Sequence, residues 1–496
     1  MIRLHNNATI EGICRRPGNV RRSLSILLIL LLLFGCQATT GKLARRLPAE
    51  VDNTAGAHEE NAARLSLFLN LKTPANQGIR MDVTSIEILA DDLWLPVTSQ
   101  PIAIDAPAIG PGQLFLGRCR LPGGRYQKIR LTIERASILK QTGERIFLAL
   151  ASPTVEINIP NTLVLAAKES QSLFIIWDEE ESLRTPPHLR PHLTIPKNLK
   201  QMPADLAYAA CPEINTVYVI RTDKNWVCDS FGVTGHPTYL AAATQQTKKR
   251  LYLLSPAEAE IKVVDIPANN LVDTFPVPMT NKPSFMVLSD DARWAYILDA
   301  QDDYLLRIDL DSGNLANRVH LGYEPACLTY IGGQNLLAVG ATLSQTVSLL
   351  DANTLAQVGQ IPTNGPPEGL LAWENLLYIG EGRANTVMIY DLNHRSPRSR
   401  INVGFFPYRL FQNDRHIYVG NRNSNSISIL QPGQFGNARE IDLGGRPLEM
   451  TVDQHSRWLY VGNQKIGGLS VIDATTNRVS GEILFGAVPK GLAVLQ

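Results

Sequence analysis

YIGEGRANTVMIYD (residues 378–391), YVGNRNSNSISIL (418–430) and YVGNQKIGGLSVID (460–473) are three copies of one pattern: an apolar run opened by Tyr, a polar turn, and a second alternating run. Period-two alternation on both sides of a short polar break reads as an antiparallel strand pair. Aligning every such segment gives anchors at Tyr208, Tyr252, Tyr296, Ala338, Tyr378, Tyr418 and Tyr460, in steps of 44, 44, 42, 40, 40 and 42 residues. Nine residues beyond each anchor a branched apolar residue opens the second strand: Val217, Ile261, Leu305, Val347, Val387, Ile427 and Leu469. A second register runs in step with the first at Pro237, Pro283, Pro325, Pro367, Pro407, Pro447 and Pro489, each followed three positions later by Leu or Met. Proline lacks the ladder N–H, so it suits the first residue of a strand.

Each unit of about 42 residues thus carries four short strands, the length and content of one β-propeller blade. Seven copies fill residues 205–496. The quoted motifs resemble the YVTN family of propeller repeats, found on exported microbial proteins. The first copy lacks its Pro-initiated strand, while the chain ends with an orphan of that type, VPKGLAVLQ. The expectation is that this last strand completes the first blade and closes the ring, which removes exposed sheet edges. The Asp ending the third strand in most copies (Asp265, Asp309, Asp351, Asp391, Asp473) reads as turn chemistry.

At the other end, Arg15, Arg16, Arg21 and Arg22 precede an apolar run over 26–34, the layout of an export signal. That run is too short to span a bilayer core. It ends in Leu33-Phe34-Gly35-Cys36, which resembles the lipobox of bacterial lipoproteins. The resemblance implies cleavage before Cys36, a membrane anchor of several acyl chains on its thiol, and, with Gln37 next, sorting to the outer membrane. Residues 36–61 are small, polar and unpatterned, as in a flexible tether.

Between the tether and the repeats, 62–195 hold short alternating runs such as RLSLFLNL, VTSIEIL, YQKIRLTIERA and SLFIIW, which indicate an antiparallel β-sandwich. LPGGRYQKIRLTIERASILKQTGERIFL, with WLPV before it and IIWDEEES after it, looks like a domain family of unknown function on lipidated envelope proteins. That resemblance implies a transthyretin-like sandwich and supplies no catalytic residues. The fold class is therefore all-β: signal peptide 1–35, tether 36–61, sandwich 62–195, linker 196–204 and seven-bladed propeller 205–496.

Composition excludes several functions. Charged residues are 19% and apolar ones 44%, which suits a folded, turn-rich chain rather than a disordered one. Beyond residue 35, 42 basic residues stand against 45 acidic ones, so the basic excess of a nucleic-acid binder is missing. No CxxCH, HExxH, phosphate loop or nucleophile elbow occurs. His188 and His192 have helical ligand spacing but lie in a Pro-rich, non-helical stretch. Asp91-Asp92 and Asp178-Glu179-Glu180-Glu181 lack the spacing of a calcium loop and read as solvated turns. Cys119, Cys211, Cys228 and Cys327 read as buried free thiols, and Trp177, Trp226, Trp294, Trp373 and Trp458 as packing residues.

Blade geometry brings the residues after each anchor Pro and those three past each Tyr to one rim. The candidate binding rim is Asp299, Glu381, Asn421, Asn463, Arg409, Glu449 and Glu324, with Cys211, Ser255, Ala341, His236, Lys282, Glu368, Arg446 and Lys490 nearby. Mixed charge without a His cluster suits recognition of a polar ligand or an envelope protein. The expectation is a non-enzymatic, lipid-anchored binding or scaffolding protein without a cofactor, on the periplasmic or outer face of the outer membrane. The alternatives are a propeller enzyme or cofactor carrier, lactonase-like or redox-associated, and a surface adhesin.

Overall fold

The computed structural model describes residues 49–54, 62–74, 77–98, 100–140, 142–184, 188–197, 205–243, 249–322, 324–436 and 438–495. The expected signal peptide, Cys36, and most of the expected tether and linker lie outside the described residues. The protein is all-β with almost no helix, and among the described residues no helix is long and apolar enough to cross a membrane.

Residues 205–495 form seven four-stranded sheets, the blades of a propeller. Blade 1 takes three strands from 206–232 and its inner strand, Gly491–Val494, from the chain end; blades 2 to 7 follow at 239–276, 283–320, 325–362, 367–402, 407–442 and 447–484. Ala207 pairs with Val494, Tyr208 with Ala493 and Ala209 with Leu492, so the last strand closes the ring. The repeated Tyr has a reason. Its ring is fully buried in most blades, and in four of them its hydroxyl reaches the outer turn of the next blade. Tyr208 donates to Asn269 Oδ1 at 3.2 Å, Tyr296 to the Ala352 carbonyl at 3.1 Å, and the Tyr378 hydroxyl accepts from the Gly433 N–H at 2.9 Å. Tyr460 of blade 7 donates to Asn225 of blade 1, carrying the same stitch across the closure. The strand-ending aspartates cap those outer turns: Asp351, for example, accepts the Asn353 and Thr354 N–H groups at 3.0 and 2.8 Å.

Residues 49–195 build two further sheets. One has five strands in the order Val51–Asp52, Gln113–Leu121, Ala63–Leu71, Ser170–Asp178, His192–Thr194. The other has seven, centred on Ile79–Ala90 and Gly124–Leu139. A single apolar core joins them, with Leu65, Leu67, Leu116 and Trp177 from the first and Met81, Ile86, Ile129 and Leu131 from the second. The expected all-antiparallel pairing is corrected. Ser170–Asp178 runs parallel to Ala63–Leu71, and Val51–Asp52 parallel to Gln113–Leu121. A parallel pair needs a long crossover, and the excursion through the second sheet supplies it. Two more expectations change. Val51–Asp52 is a paired strand, so Ala49–Thr54 belongs to the folded unit rather than to a free tether. Asp178 and Glu179 are buried, not solvated: Asp178 caps a short helix and ion-pairs with Lys72 at 2.7 Å, and Glu179 accepts the Ile79 N–H at 3.1 Å.

The five-stranded sheet is buried on both faces, which is why Ala63–Leu71 exposes almost nothing. Its second face carries Phe68, Phe115 and Phe174 onto blades 7 and 1, against Tyr218, Phe485 and Ala487. Phe68 stacks on Phe174 at 5.6 Å, and Tyr218 on Phe485 at 4.7 Å. Ser66 bonds the Tyr218 hydroxyl at 2.8 Å, Ser170 bonds Thr216 at 2.8 Å, and Trp226 Nε1 donates to the Pro111 carbonyl at 2.9 Å. Arg118 donates to the carbonyls of Phe485 and Gly486 at 3.1 and 3.2 Å, while its Nε pairs with Glu50 at 2.9 Å.

Candidate functional site

The two sequence registers meet at one end of the blades. Pro283 pairs with Asp299, Pro325 with Ala341, Pro367 with Glu381, Pro407 with Asn421 and Pro447 with Asn463. The loops entering each inner strand and the loops after each second strand therefore share one face.

On that face the expected rim residues divide. Asp299, Glu381, Asn421 and Asn463 are each 0% exposed and engaged with the loops. Asp299 accepts the N–H groups of Asn281 and Gln301 at 2.8 and 3.0 Å. Glu381 accepts the Asn364 N–H at 2.8 Å and the Thr386 hydroxyl at 2.6 Å, and pairs with Arg400 at 3.1 Å. Asn421 donates to the hydroxyls of Ser426 and Ser428 at 3.1 and 2.8 Å. Asn463 donates to Ser470 at 3.0 Å and accepts the Lys465 N–H at 3.0 Å. These four clip the loops into shape rather than line an open mouth: Asp299, Glu381 and Asn463 accept turn N–H groups, and Asn421 ties two hydroxyls together. Ser255 and Cys211 are likewise buried, whereas His236, Lys282, Glu324 and Lys490 are exposed. Glu324 has φ 57° just before Pro325, held there by Asp303 Oδ1 accepting its N–H at 3.0 Å.

Arg409 and Glu449 do something else. Both stand two residues past the anchor Pro, at the level where Tyr239, Phe285, Cys327, Gly369 and Gly491 line the other inner strands. In blades 3 to 6 a register shift falls between the Pro and this position, and such bulges re-aim a side chain, here toward the axis. Gly491 is required there: a Cβ would lie 2.2 Å from Leu240 Cδ1 and 2.3 Å from the Thr238 carbonyl.

Arg409, only 8% exposed, crosses the axis. From blade 6 its guanidinium pairs with Glu449 of blade 7 at 3.2 Å, donates to the Glu368 carbonyl of blade 5 at 3.0 Å, and donates to the Tyr239 hydroxyl of blade 2. It also lies 4.0 Å from the Tyr408 ring centre and 5.1 Å from that of Phe285 in blade 3. Burial holds the Tyr239 phenol well above its ordinary pKa, so it stays neutral and can accept that bond. Burial also pushes the Glu449 and Glu368 carboxyls up, with Arg409 offsetting part of it. Cys327 donates to the Pro367 carbonyl at 3.3 Å, and burial raises its thiol to about 12. The aromatic partners escaped the rim reading; comparing the second residue after each Pro across the repeats would have found them.

The thiols of Cys119, Cys211, Cys228 and Cys327 are free, the first, second and fourth of them buried. Trp177 is fully buried and donates to the Ser182 hydroxyl at 3.1 Å. Among the described residues no group of three His, Cys, Asp or Glu is placed to hold a metal ion. A concavity of about 640 Å³ lies between Asn161–Val164, Ser170–Phe174 and the outer strand of blade 1, where Ser172 and Ser230 bond each other at 2.8 Å.

No family model matches the chain, and no curated protein matches it in sequence. Solved structures do match it. A functionally unknown protein from Desulfotomaculum acetoxidans DSM 771 superposes with a TM-score of 0.53 at 11% identity, over 59% of this chain and 99% of its own. Dihydro-heme d1 dehydrogenase NirN in complex with DHE gives 0.49 at 12% identity, over 59% and 76%. Kuenenia stuttgartiensis hydrazine synthase gives 0.46 at 12%, over 53% and 96%. At these identities the first likeness is one of fold alone, and the other two carry no argument.

Proposed function

We propose that this is a lipid-anchored protein of the bacterial cell envelope, held on the outer membrane through Cys36, whose propeller is a non-enzymatic binding or scaffolding surface for another envelope component. In this reading 62–195 is a transthyretin-like β-sandwich that docks the propeller, and the repeats are of YVTN type. The anchor rests on the Arg-rich lead, the apolar run and Leu33-Phe34-Gly35-Cys36. The binding role rests on one observation above the rest: Arg409 occupies the axis at the mouth and engages inner strands of several blades, which leaves recognition to the exposed loops around it.

The test is purification of the protein from its native membrane in mild detergent, with mass spectrometry of what accompanies it and an absorption spectrum. A stoichiometric envelope partner and an acylated N-terminal peptide starting at Cys36 are expected. A Cys36→Ala variant should leave the membrane fraction. A bound chromophore, or turnover of a lactone, would overturn the reading in favour of a cofactor carrier or an enzyme.

A further inference from the structure

Residues 49–54 are attached differently from the sheet they join. Their strand, Val51–Asp52, has two residues, lies at the sheet edge, and pairs only with Cys119 and Arg120. One more backbone bond, from the Asn53 N–H to the Arg120 carbonyl at 3.1 Å, extends that ladder. Ala63–Leu71, by contrast, is paired on both sides along nearly its whole length. Side chains carry most of the attachment at the edge. Glu50 accepts from Arg118 Nε at 2.9 Å and from Arg120 Nε at 3.2 Å, and lies 3.4 Å from Arg64 Nε. Asp52 pairs with Arg120 at 3.5 Å, and Asn53 Nδ2 donates to the Pro96 carbonyl at 2.9 Å. Alternation explains the fit: residues 50 and 52 share one face of a strand, while Val51 turns the other way and packs against the core. Among the described residues Arg64 and Arg118 meet no carboxylate other than Glu50.

We infer that residues 49–54 are a releasable strap, and that Arg64, Arg118 and Arg120 form a docking site for an acidic extended segment, which the strap fills in cis. A two-residue strand gives up few ladder bonds when it leaves, so it opens far below the cost of global unfolding. What returns it is attraction between its carboxylates and guanidiniums that have little other counter-charge. The strap also governs the seam. Arg118 donates to Glu50 with Nε while its two terminal nitrogens donate to the Phe485 and Gly486 carbonyls of the propeller. Glu50 therefore orients the guanidinium that grips blade 7, and whatever displaces residues 49–54 loosens the five-stranded sheet from the propeller. This device goes beyond the proposed binding role and does not depend on acylation at Cys36.

The test uses the full-length protein in detergent and a labelled peptide of residues 47–55, LPAEVDNTA. Glu50→Ala, which weakens the strap, should bind the peptide in fluorescence anisotropy at least about tenfold more tightly than wild type, whose site is filled. A peptide carrying the same Glu50→Ala change should lose about tenfold on that variant. Bound wild-type peptide should return protease cleavage between residues 195 and 205, faster in the variant, to the wild-type rate. Failure of the variant to bind, equal binding of the two peptides, or binding that leaves cleavage unchanged would overturn the inference. Should the variant lose the site by misfolding locally, amide exchange of the unaltered protein still decides. There the Asn53 N–H should exchange at least about a hundredfold faster than the N–H groups of Ala63–Leu71, and protection equal to theirs would show that no strap opens. None of these readouts involves an envelope partner, so their failure leaves the scaffold reading standing, and absence of a co-purifying partner leaves the strap standing.

Discussion

Two buried arginines hold this molecule together in different ways. Arg409, at the propeller axis, takes its carboxylate from the adjacent blade and its other partners from the same ring of inner strands. Arg118, at the seam, bonds propeller carbonyls on one side and takes its carboxylate, Glu50, from the leading segment of the folded unit on the other. Each is a charge withdrawn from water that must be paired. The difference is where the pairing comes from. The axis is satisfied by the repeat itself, so any intact ring satisfies it; the seam is satisfied only when the segment around Glu50 is in place, beside Arg64 and Arg120, which share that carboxylate.

The harshest way to break the axis is to open the ring. Deleting 491–496 removes the strand between the inner strands of blades 7 and 2, and with it the geometry that brings Glu449 and Tyr239 to one guanidinium. Burial of Leu492 and Val494 and the ladder bonds of that strand together stabilise by about 5 kcal/mol or more. Urea unfolding should show a loss of that order, and a wild-type midpoint would refute the closure. Next comes Glu449→Ala, which leaves Arg409 buried without a counter-charge and should cost about 3–5 kcal/mol. The double variant Arg409→Met/Glu449→Leu should recover most of that loss, since replacing both partners with apolar groups removes the desolvation cost along with the pair.

At the seam, Glu50→Ala should cost less, about 1–3 kcal/mol, because Arg118 retains its two carbonyls and Asp52 remains beside Arg120 as a second carboxylate. Its mark should be local: faster protease cleavage between residues 195 and 205 at unchanged melting of the propeller. Unchanged cleavage would mean that the aromatic contacts alone hold the seam.

The axis and the seam also differ in how far the sequence disclosed them. The blades were legible because strand period and repeat period agree over seven copies, and Arg409 and Glu449 fell into the rim set because they follow a repeated Pro. Their role did not follow, since a bulge turns them inward and only a comparison across blades reveals it. The seam was marked by residues that break the one-sided alternation. Phe68, Phe115 and Phe174 occupy positions that the pattern assigns to solvent, which signals a second buried face. Glu50 had no such mark, because its stretch shows no period and its parallel pairing spans more than sixty residues. Asp299 and Glu381 misled for the opposite reason: a carboxylate beside a loop looks the same in sequence whether it faces water or caps the loop.

The smallest predicted effect separates the axis from the turns by pH. Asp351 is held below the ordinary carboxylate range by the N–H and hydroxyl of Thr354, so its folded form binds protons less readily than the unfolded chain. Stability from it is present above the unfolded pKa and is lost as pH falls through the lower folded one. Glu368 and Glu449 carry the opposite sign. Burial raises both, so between the ordinary glutamate value and the raised one the folded protein holds the extra proton, and stability falls as pH rises through that window. Glu368 makes this testable without removing the Arg409 pair, because its contact with Arg409 runs through the main-chain carbonyl. Glu368→Gln should therefore melt about 1–2 °C above wild type at pH 7, with the gap closing toward pH 4, while Asp351→Asn should melt below wild type at pH 7 and converge with it only in stronger acid. A Glu368→Gln gap that stayed constant across pH would mean that packing, not charge, sets its cost at the mouth.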